Sequence, residues 1–178
     1  VRGSGADILA AALGGVRVLN DPDALTLPAE LRGEVAGGLP RAFSAEPAAL
    51  TLPVPVHLVA TPQAASTPDL VSRYRAALQQ DLAAAAARDA LAAAARAFLA
   101  AARSANPAAL LAAVHAAYEG YLALSQVLDV ALVTPAHAAL AALARDLGGA
   151  AKPSGAGGGD LAVLFLPDDA RAALSRRL

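Results

Sequence analysis

The segment Ala150-Ala151-Lys152-Pro153-Ser154-Gly155-Ala156-Gly157-Gly158-Gly159-Asp160 concentrates the residue types in this chain that could do chemistry. Four glycines fall within five positions, beside a proline, a serine, an aspartate and the chain's only lysine. Glycine has no Cβ, so such a run admits φ > 0 and lets the backbone approach a ligand closely. Successive N–H groups in such turns can converge on an anion, and a lysine nearby supplies a point charge suited to phosphate. The stretch therefore predicts a phosphate-handling loop, with a flexible helix-to-strand linker as the competing reading. Two common nucleotide loops are excluded. A Walker A loop needs G-x-x-x-x-G-K-[ST], whereas here Asp160 follows the last glycine and the lysine lies upstream. A dinucleotide fingerprint needs G-x-G-x-x-G between a strand and a helix. Residues 155–160 lack its final glycine, and the pattern around them reads as helix before and strand after.

The elements that must position this loop follow from patterning. Ser4 can cap a helix over residues 5–13, with Asp7 in its first turn, where the helix dipole favours an anion. Gly14-Gly15 stops it, Val16 to Leu19 alternates as a strand, Asn20 to Asp23 is a turn, and Ala24 to Leu27 is a second strand. Residues 28–50 give no firm assignment. Residues 52–61 read as a strand whose prolines push its first half to an edge or lead-in. Thr67 is the expected cap of a helix with Pro68 at its first position, running to Gln80. Helices are expected over Asp81–Arg103, Ala108–Leu128 and Ala136–Leu147, the last preceded by Thr134-Pro135. Leu161 to Leu166 is a short buried strand, and Pro167-Asp168-Asp169 opens a final helix. The fold class is α+β, an antiparallel sheet packed with several Ala-rich helices.

Composition narrows the function. The hydrophobic fraction is 57% with only 3% aromatic residues, so the core must be built from Leu, Val and Ala with few rings. A formal net charge of −1, with scattered arginines, provides no electrostatic footprint for nucleic acid. Without cysteine there is neither a disulfide framework nor a thiolate metal site, which fits a cytoplasmic protein. The longest stretch free of charge, residues 47–68, contains five prolines and does not read as a membrane helix. His57, His115 and His137 have no metal-ligand spacing and are expected in core or surface roles.

Residues 151–160 closely resemble the third conserved motif of the GHMP small-molecule kinases, in the form found in bacterial phosphomevalonate kinases. Three further stretches agree in order. Gly3-Ser4-Gly5-Ala6-Asp7 is similar to the family segment carrying the active-site aspartate. Residues 61–67, ending Ala65-Ser66-Thr67, resemble a Pro-Ala-Ser-Thr segment, although Ala64 stands at the proline position. Val133-Thr134-Pro135 resembles the lead-in to the third motif. Leu161 stands where a cysteine often follows that motif. The family's first motif and its second, a Pro-x-x-x-Gly-Leu-Gly-Ser-Ser-Ala-type nucleotide loop, are not found in the 178 residues.

The resemblance implies a C-terminal kinase portion that lacks the main ATP loop and is inactive alone. Residues 1–50 would then be the tail of an N-terminal kinase domain, and residues 51–178 a C-terminal domain. It implies phosphorylation of 5-phosphomevalonate to diphosphomevalonate in isoprenoid precursor synthesis. A mevalonate- or homoserine-type kinase, or a non-catalytic structural or binding fragment, is the alternative. Asp7 and Lys152 would be catalytic, with Asp7 orienting an acceptor that is already anionic. Ser4, Gly5, Ser66 and Thr67 would contact substrate. Ser154, Gly155, Ala156, Gly157, Gly158 and Gly159 would border the nucleotide, with Asp160 capping turn amides. The cofactors implied are ATP and Mg2+, for which no carboxylate ligand can be named. The partners implied are a phosphorylated small molecule and the N-terminal kinase portion, not nucleic acid or membrane, and a homodimer is left open.

Overall fold

A computed structural model describes residues 50–178 and, ahead of them, Val16, Leu19–Asn20 and Ser44–Ala45. The chain divides into two compact units, Val1–Thr51 and Leu52–Leu178. In the first, β1 (Leu19–Asn20) pairs antiparallel with β2 (Ser44–Ala45). Val16 bridges Leu50, whose N–H donates to the Val16 carbonyl at 2.8 Å. The helix expected over residues 5–13 and the strand over 24–27 lie outside the described residues, and with them Ser4, Gly5 and Asp7.

The second unit opens with β3 (Val56–Ala60), a strand of alternating burial. Pro55 has no N–H to offer a ladder, but its carbonyl accepts the Leu166 N–H at 3.2 Å. Four helices follow: α1 (Thr67–Gln80), α2 (Leu82–Arg103), α3 (Pro107–Leu128) and α4 (Pro135–Asp146). The chain then forms β4 (Ala150–Pro153), β5 (Leu161–Phe165), a 3₁₀ turn at Asp168–Ala170 and α5 (Arg171–Arg177). The three strands form one antiparallel sheet in the order β3-β5-β4. The all-apolar β5 is therefore central, with Leu58 opposite Val163 on one side and Lys152 opposite Val163 on the other.

The structure departs from the sequence-based expectation in three places. Ala150–Pro153 is a strand rather than the end of a helix-to-strand linker, so the glycine run closes a β-hairpin. Alanine and proline carry weak strand signals, and pairing with β5 overrides them; Pro153 is tolerated because β4 lies at the sheet edge. The N-cap of α1 is Ser66, not Thr67, and its side chain makes no capping bond. Pro68 is then the second helical residue, still within the first turn, where an N–H has no intrahelical partner. The last helix is split, with the 3₁₀ turn ahead of α5.

Small side chains let the helices pack closely. Along α2 the buried positions are Ala84, Ala87, Ala94, Ala101 and Ala102, and this helix packs extensively against α3. Both are capped as their sequences direct: Asp81 accepts the Ala83 N–H at 2.7 Å, and Asn106 accepts the Ala109 N–H at 3.0 Å. One face of the sheet, through Ala151, Ala162 and Leu164, joins Tyr118, Leu140, Ala144 and Leu174 in the main core. A second cluster of Leu70, Ala87, Leu124, Leu128 and Leu132 lies among α1, α2, α3 and the segment before α4.

Candidate phosphate-handling site

The hairpin between β4 and β5 is built from backbone conformations that side chains resist. Gly155, Gly157, Gly158 and Gly159 all have positive φ, and so does Asp160, at 59°. At two positions the glycine is demanded by space as well. A Cβ on Gly157 would lie 2.8 Å from the Leu132 carbonyl oxygen, and one on Gly159 would lie 2.5 Å from that of Gln63.

These contacts anchor the loop to two flanking segments. On one side the Asp160 N–H donates to the Gln63 carbonyl at 2.6 Å, and the Thr61 N–H donates to the Asp160 carbonyl at 2.8 Å. On the other the Gly158 N–H donates to the Leu132 carbonyl at 2.8 Å. The Tyr121 hydroxyl, from α3, donates to the Gly155 carbonyl at 2.5 Å. At the mouth of the hairpin the Ser154 N–H donates to the Leu161 carbonyl at 2.9 Å. Asp160 thus contributes through its backbone; its carboxylate caps no turn amide among the described residues, contrary to the sequence-based expectation.

A cavity of 270 Å³ lies where the three segments meet, lined by residues 63–66, Asp69, Leu70, Val130, Ala131, Thr134 and Gly158. Ser66 and Gly158 therefore share a wall. The Ser66 hydroxyl is exposed and takes no part in capping α1, leaving it able to meet a ligand. Asp69 in the first turn of α1 adds a negative charge to the same cavity. Thr67 is exposed beside Ser66 but is not among the lining residues, and neither are Lys152 and Ser154.

Lys152 sits on β4 with its Nζ 5.8 Å from the centre of the Tyr121 ring, donating to the Pro153 carbonyl at 3.0 Å. Removal from water disfavours its charged form and holds its pKa below the usual lysine value, while the same burial raises that of the Tyr121 phenol.

The glycine loop does not present five parallel N–H donors. Those of Gly157 and Gly158 are occupied by Ser154 and Leu132 carbonyls. Among the described residues, those of Gly155, Ala156 and Gly159 have no backbone acceptor; Gly155 is exposed and Ala156 half-buried, whereas Gly159 is buried. No cluster of three His, Asp or Glu side chains is assembled among the described residues. None of the described helices is long and apolar enough to cross a membrane.

Sequence reasoning missed Tyr121 and Gln63 as supports of the loop, because nothing local distinguishes a helical tyrosine or a loop carbonyl. It placed His137 in a core or surface role, and the residue is 1% exposed. The signal for more was its place three residues after Thr134, a capping-box spacing that the structure fulfils with histidine in place of the usual Glu or Gln.

No family model matches the chain, and no curated protein sequence matches it. Solved structures do. A phosphomevalonate kinase from Streptococcus pneumoniae, in complex with phosphomevalonate and AMPPNP, is similar over 98% of this chain, with a TM-score of 0.75 and 20% identity. The Lin0012 protein from Listeria innocua is similar over 76% of it, with a TM-score of 0.70 and 23% identity. The chain spans 52% of the first of these structures and 38% of the second. By fold, the chain is an α+β protein similar to these two structures.

Proposed function

We propose that this chain belongs to an ATP-dependent small-molecule kinase that converts 5-phosphomevalonate to diphosphomevalonate, a step in isoprenoid precursor synthesis. One observation carries the reading: the likeness along 98% of the chain to a phosphomevalonate kinase. The anchored glycine hairpin beside Ser66 gives it a physical basis. Phosphoryl transfer is mostly positioning and charge stabilisation, so a wall of fixed backbone donors is useful without any covalent chemistry of its own.

In this reading the acceptor phosphate oxygen bonds to the γ-phosphorus as the bond to the β–γ bridging oxygen breaks, and ADP leaves with the electron pair. Magnesium bound with the nucleotide would neutralise phosphate charge, and no carboxylate of this chain is named as its ligand. The N–H groups of Gly155 and Ala156, which have no backbone acceptor, border the nucleotide phosphates, together with Ser154. Ser66, and Thr67 beside it, contact the acceptor. Asp69 opposes an anion in the cavity and so disfavours placing either charged end of the acceptor, phosphate or carboxylate, directly against it. By the same resemblance Ser4 and Gly5 would contact the acceptor, and Asp7 would orient the attacking oxygen. Lys152 spends one N–H on the Pro153 carbonyl and keeps further donors that a phosphate could accept. The main ATP loop is assigned to an N-terminal kinase portion outside the chain, and the protein is assigned to the cytoplasm.

A second reading, a structural or binding module without catalysis, draws on the internal use of the Gly157 and Gly158 N–H groups. Acceptor-dependent ADP release separates the two when phosphomevalonate, mevalonate and homoserine are each offered to the full-length protein carrying this chain. Release with phosphomevalonate alone is the expected result, and release with none of the three would overturn the kinase reading. Asp7→Asn is expected to lower kcat by about tenfold or more, equivalent to about 1.4 kcal/mol of barrier.

A further inference from the structure

The buried imidazole of His137 makes three contacts that together tie α4 to the glycine hairpin. Its Nδ1 lies 3.2 Å from the Thr134 N–H nitrogen and 3.1 Å from the Thr134 Oγ1. A backbone N–H can only donate, so Nδ1 is the accepting nitrogen. The Thr134 Oγ1 in turn accepts the His137 N–H at 3.3 Å, completing the capping box. With Nδ1 accepting, the ring hydrogen is on Nε2, an assignment made from the partners. Nε2 lies 3.2 Å from the Leu161 carbonyl oxygen, which can only accept.

That carbonyl is the one that closes the hairpin mouth by accepting the Ser154 N–H at 2.9 Å. Its two lone pairs are thus shared between the first residue of the loop and a side chain from another element. The capping alone would not need this second bond, since a capping box uses only one acceptor at the third helical position. The same segment also supplies Leu132, whose carbonyl holds Gly158, and Thr134, which lines the cavity.

We propose that His137 is a positioning residue of the phosphate-handling site: by donating from Nε2 to the Leu161 carbonyl it fixes the hairpin mouth relative to α4 and so sets where the free loop N–H groups point. The functional half of this proposal rests on the kinase reading; the positional half does not. Loop donors displaced by about 1 Å can lower a rate by as much as about a hundredfold.

Two substitutions separate capping from positioning. His137→Asn retains an acceptor near the Nδ1 position and is too short to reach Leu161. His137→Gln can place an amide N–H at the reach of Nε2. Both are compared with the wild type in the full-length protein by thermal unfolding, by NMR-detected amide exchange at Ser154, Gly158 and Asp160, and by the kinetics of acceptor-dependent ADP release. The expected result is a folded Asn variant with at least about tenfold faster exchange at Ser154 and a kcat about tenfold lower, with Gln recovering most of both. Wild-type exchange and kcat in the Asn variant would overturn the proposal. If the Asn variant does not fold, the Gln variant decides it: wild-type exchange at Ser154 supports the role, and lost protection in a folded protein overturns it. An inactive wild type would remove the kinase reading, while the exchange comparison would still decide whether His137 holds the hairpin.

Discussion

Lys152 is the residue whose setting most constrains its chemistry. Its ammonium is stacked near the Tyr121 ring and bonded to the next residue's carbonyl, in an environment that disfavours charge. A lysine whose pKa is lower folded than unfolded is bound by fewer protons in the folded state between those two values. Stability therefore rises with pH through that window, up to the ordinary value of 10.5, and the penalty for burying the charged form is fully present only below the lowered folded-state value. Tyr121 works in the opposite sense: its raised pKa means the unfolded chain loses the phenolic proton first, so stability falls as pH climbs past the ordinary tyrosine value of 10.0. Lys152→Met removes the first effect. Urea midpoints measured between about pH 7 and pH 10 should show the variant gaining relative to the wild type at the lower end, with the gap narrowing as pH rises. A gap that stays constant over that range would mean that Lys152 is not held in a desolvated state.

At the scale of elements, the α2–α3 pair is arranged around a glycine in mid-helix. Gly120 is buried, and a Cβ there would meet Leu91 Cδ2 at 2.7 Å and Cγ at 2.9 Å. The helical penalty of glycine, about 0.5–1 kcal/mol relative to alanine, is offset by the close approach that it permits. Gly120→Ala is partly absorbed by rotation of the flexible Leu91 end, whereas Gly120→Val adds branches that Leu91 cannot clear. We expect the valine variant to lose about 1–3 kcal/mol, read as a lower urea midpoint at unchanged slope. A midpoint at or above the wild-type value would show that the helices separate freely there. The long helices were legible in the sequence because their signals are local: Asp81 and Asn106 cap as their types require, and Asn106-Pro107 divides two alanine-rich runs. β4 was not legible, because Ala150–Pro153 becomes a strand only by pairing with β5. The cap of α1 fell one residue early because Ser66 and Thr67 are chemically interchangeable as caps, and only backbone geometry separates them.

At the scale of the molecule, the glycine loop's composition announced a backbone laid close to something, and the structure identifies its nearest neighbours as the protein's own Gln63 and Leu132 carbonyls. Which N–H groups stay free for a ligand depends on those long-range contacts, and no local pattern encodes them. Both core clusters fall within Leu52–Leu178, and every anchor of the hairpin described above does as well. A fragment of residues 52–178 should therefore fold on its own and unfold in a single cooperative transition, with amide protection at Gly158 and Asp160 retained. Its weak point is β3, the edge strand, where Val56 and Leu58 are 42% and 64% exposed. An apolar strand edge invites pairing with another chain. Leu58→Lys in the fragment should reduce concentration-dependent association in sedimentation without moving the unfolding midpoint by more than about 0.5 kcal/mol, as expected of a substitution at an exposed site. A fragment that melts in two steps, or loses protection at Gly158, would mean that residues 52–178 are not one self-sufficient cooperative unit. A Leu58→Lys variant that associates as strongly as its parent would shift the cause of association away from this edge.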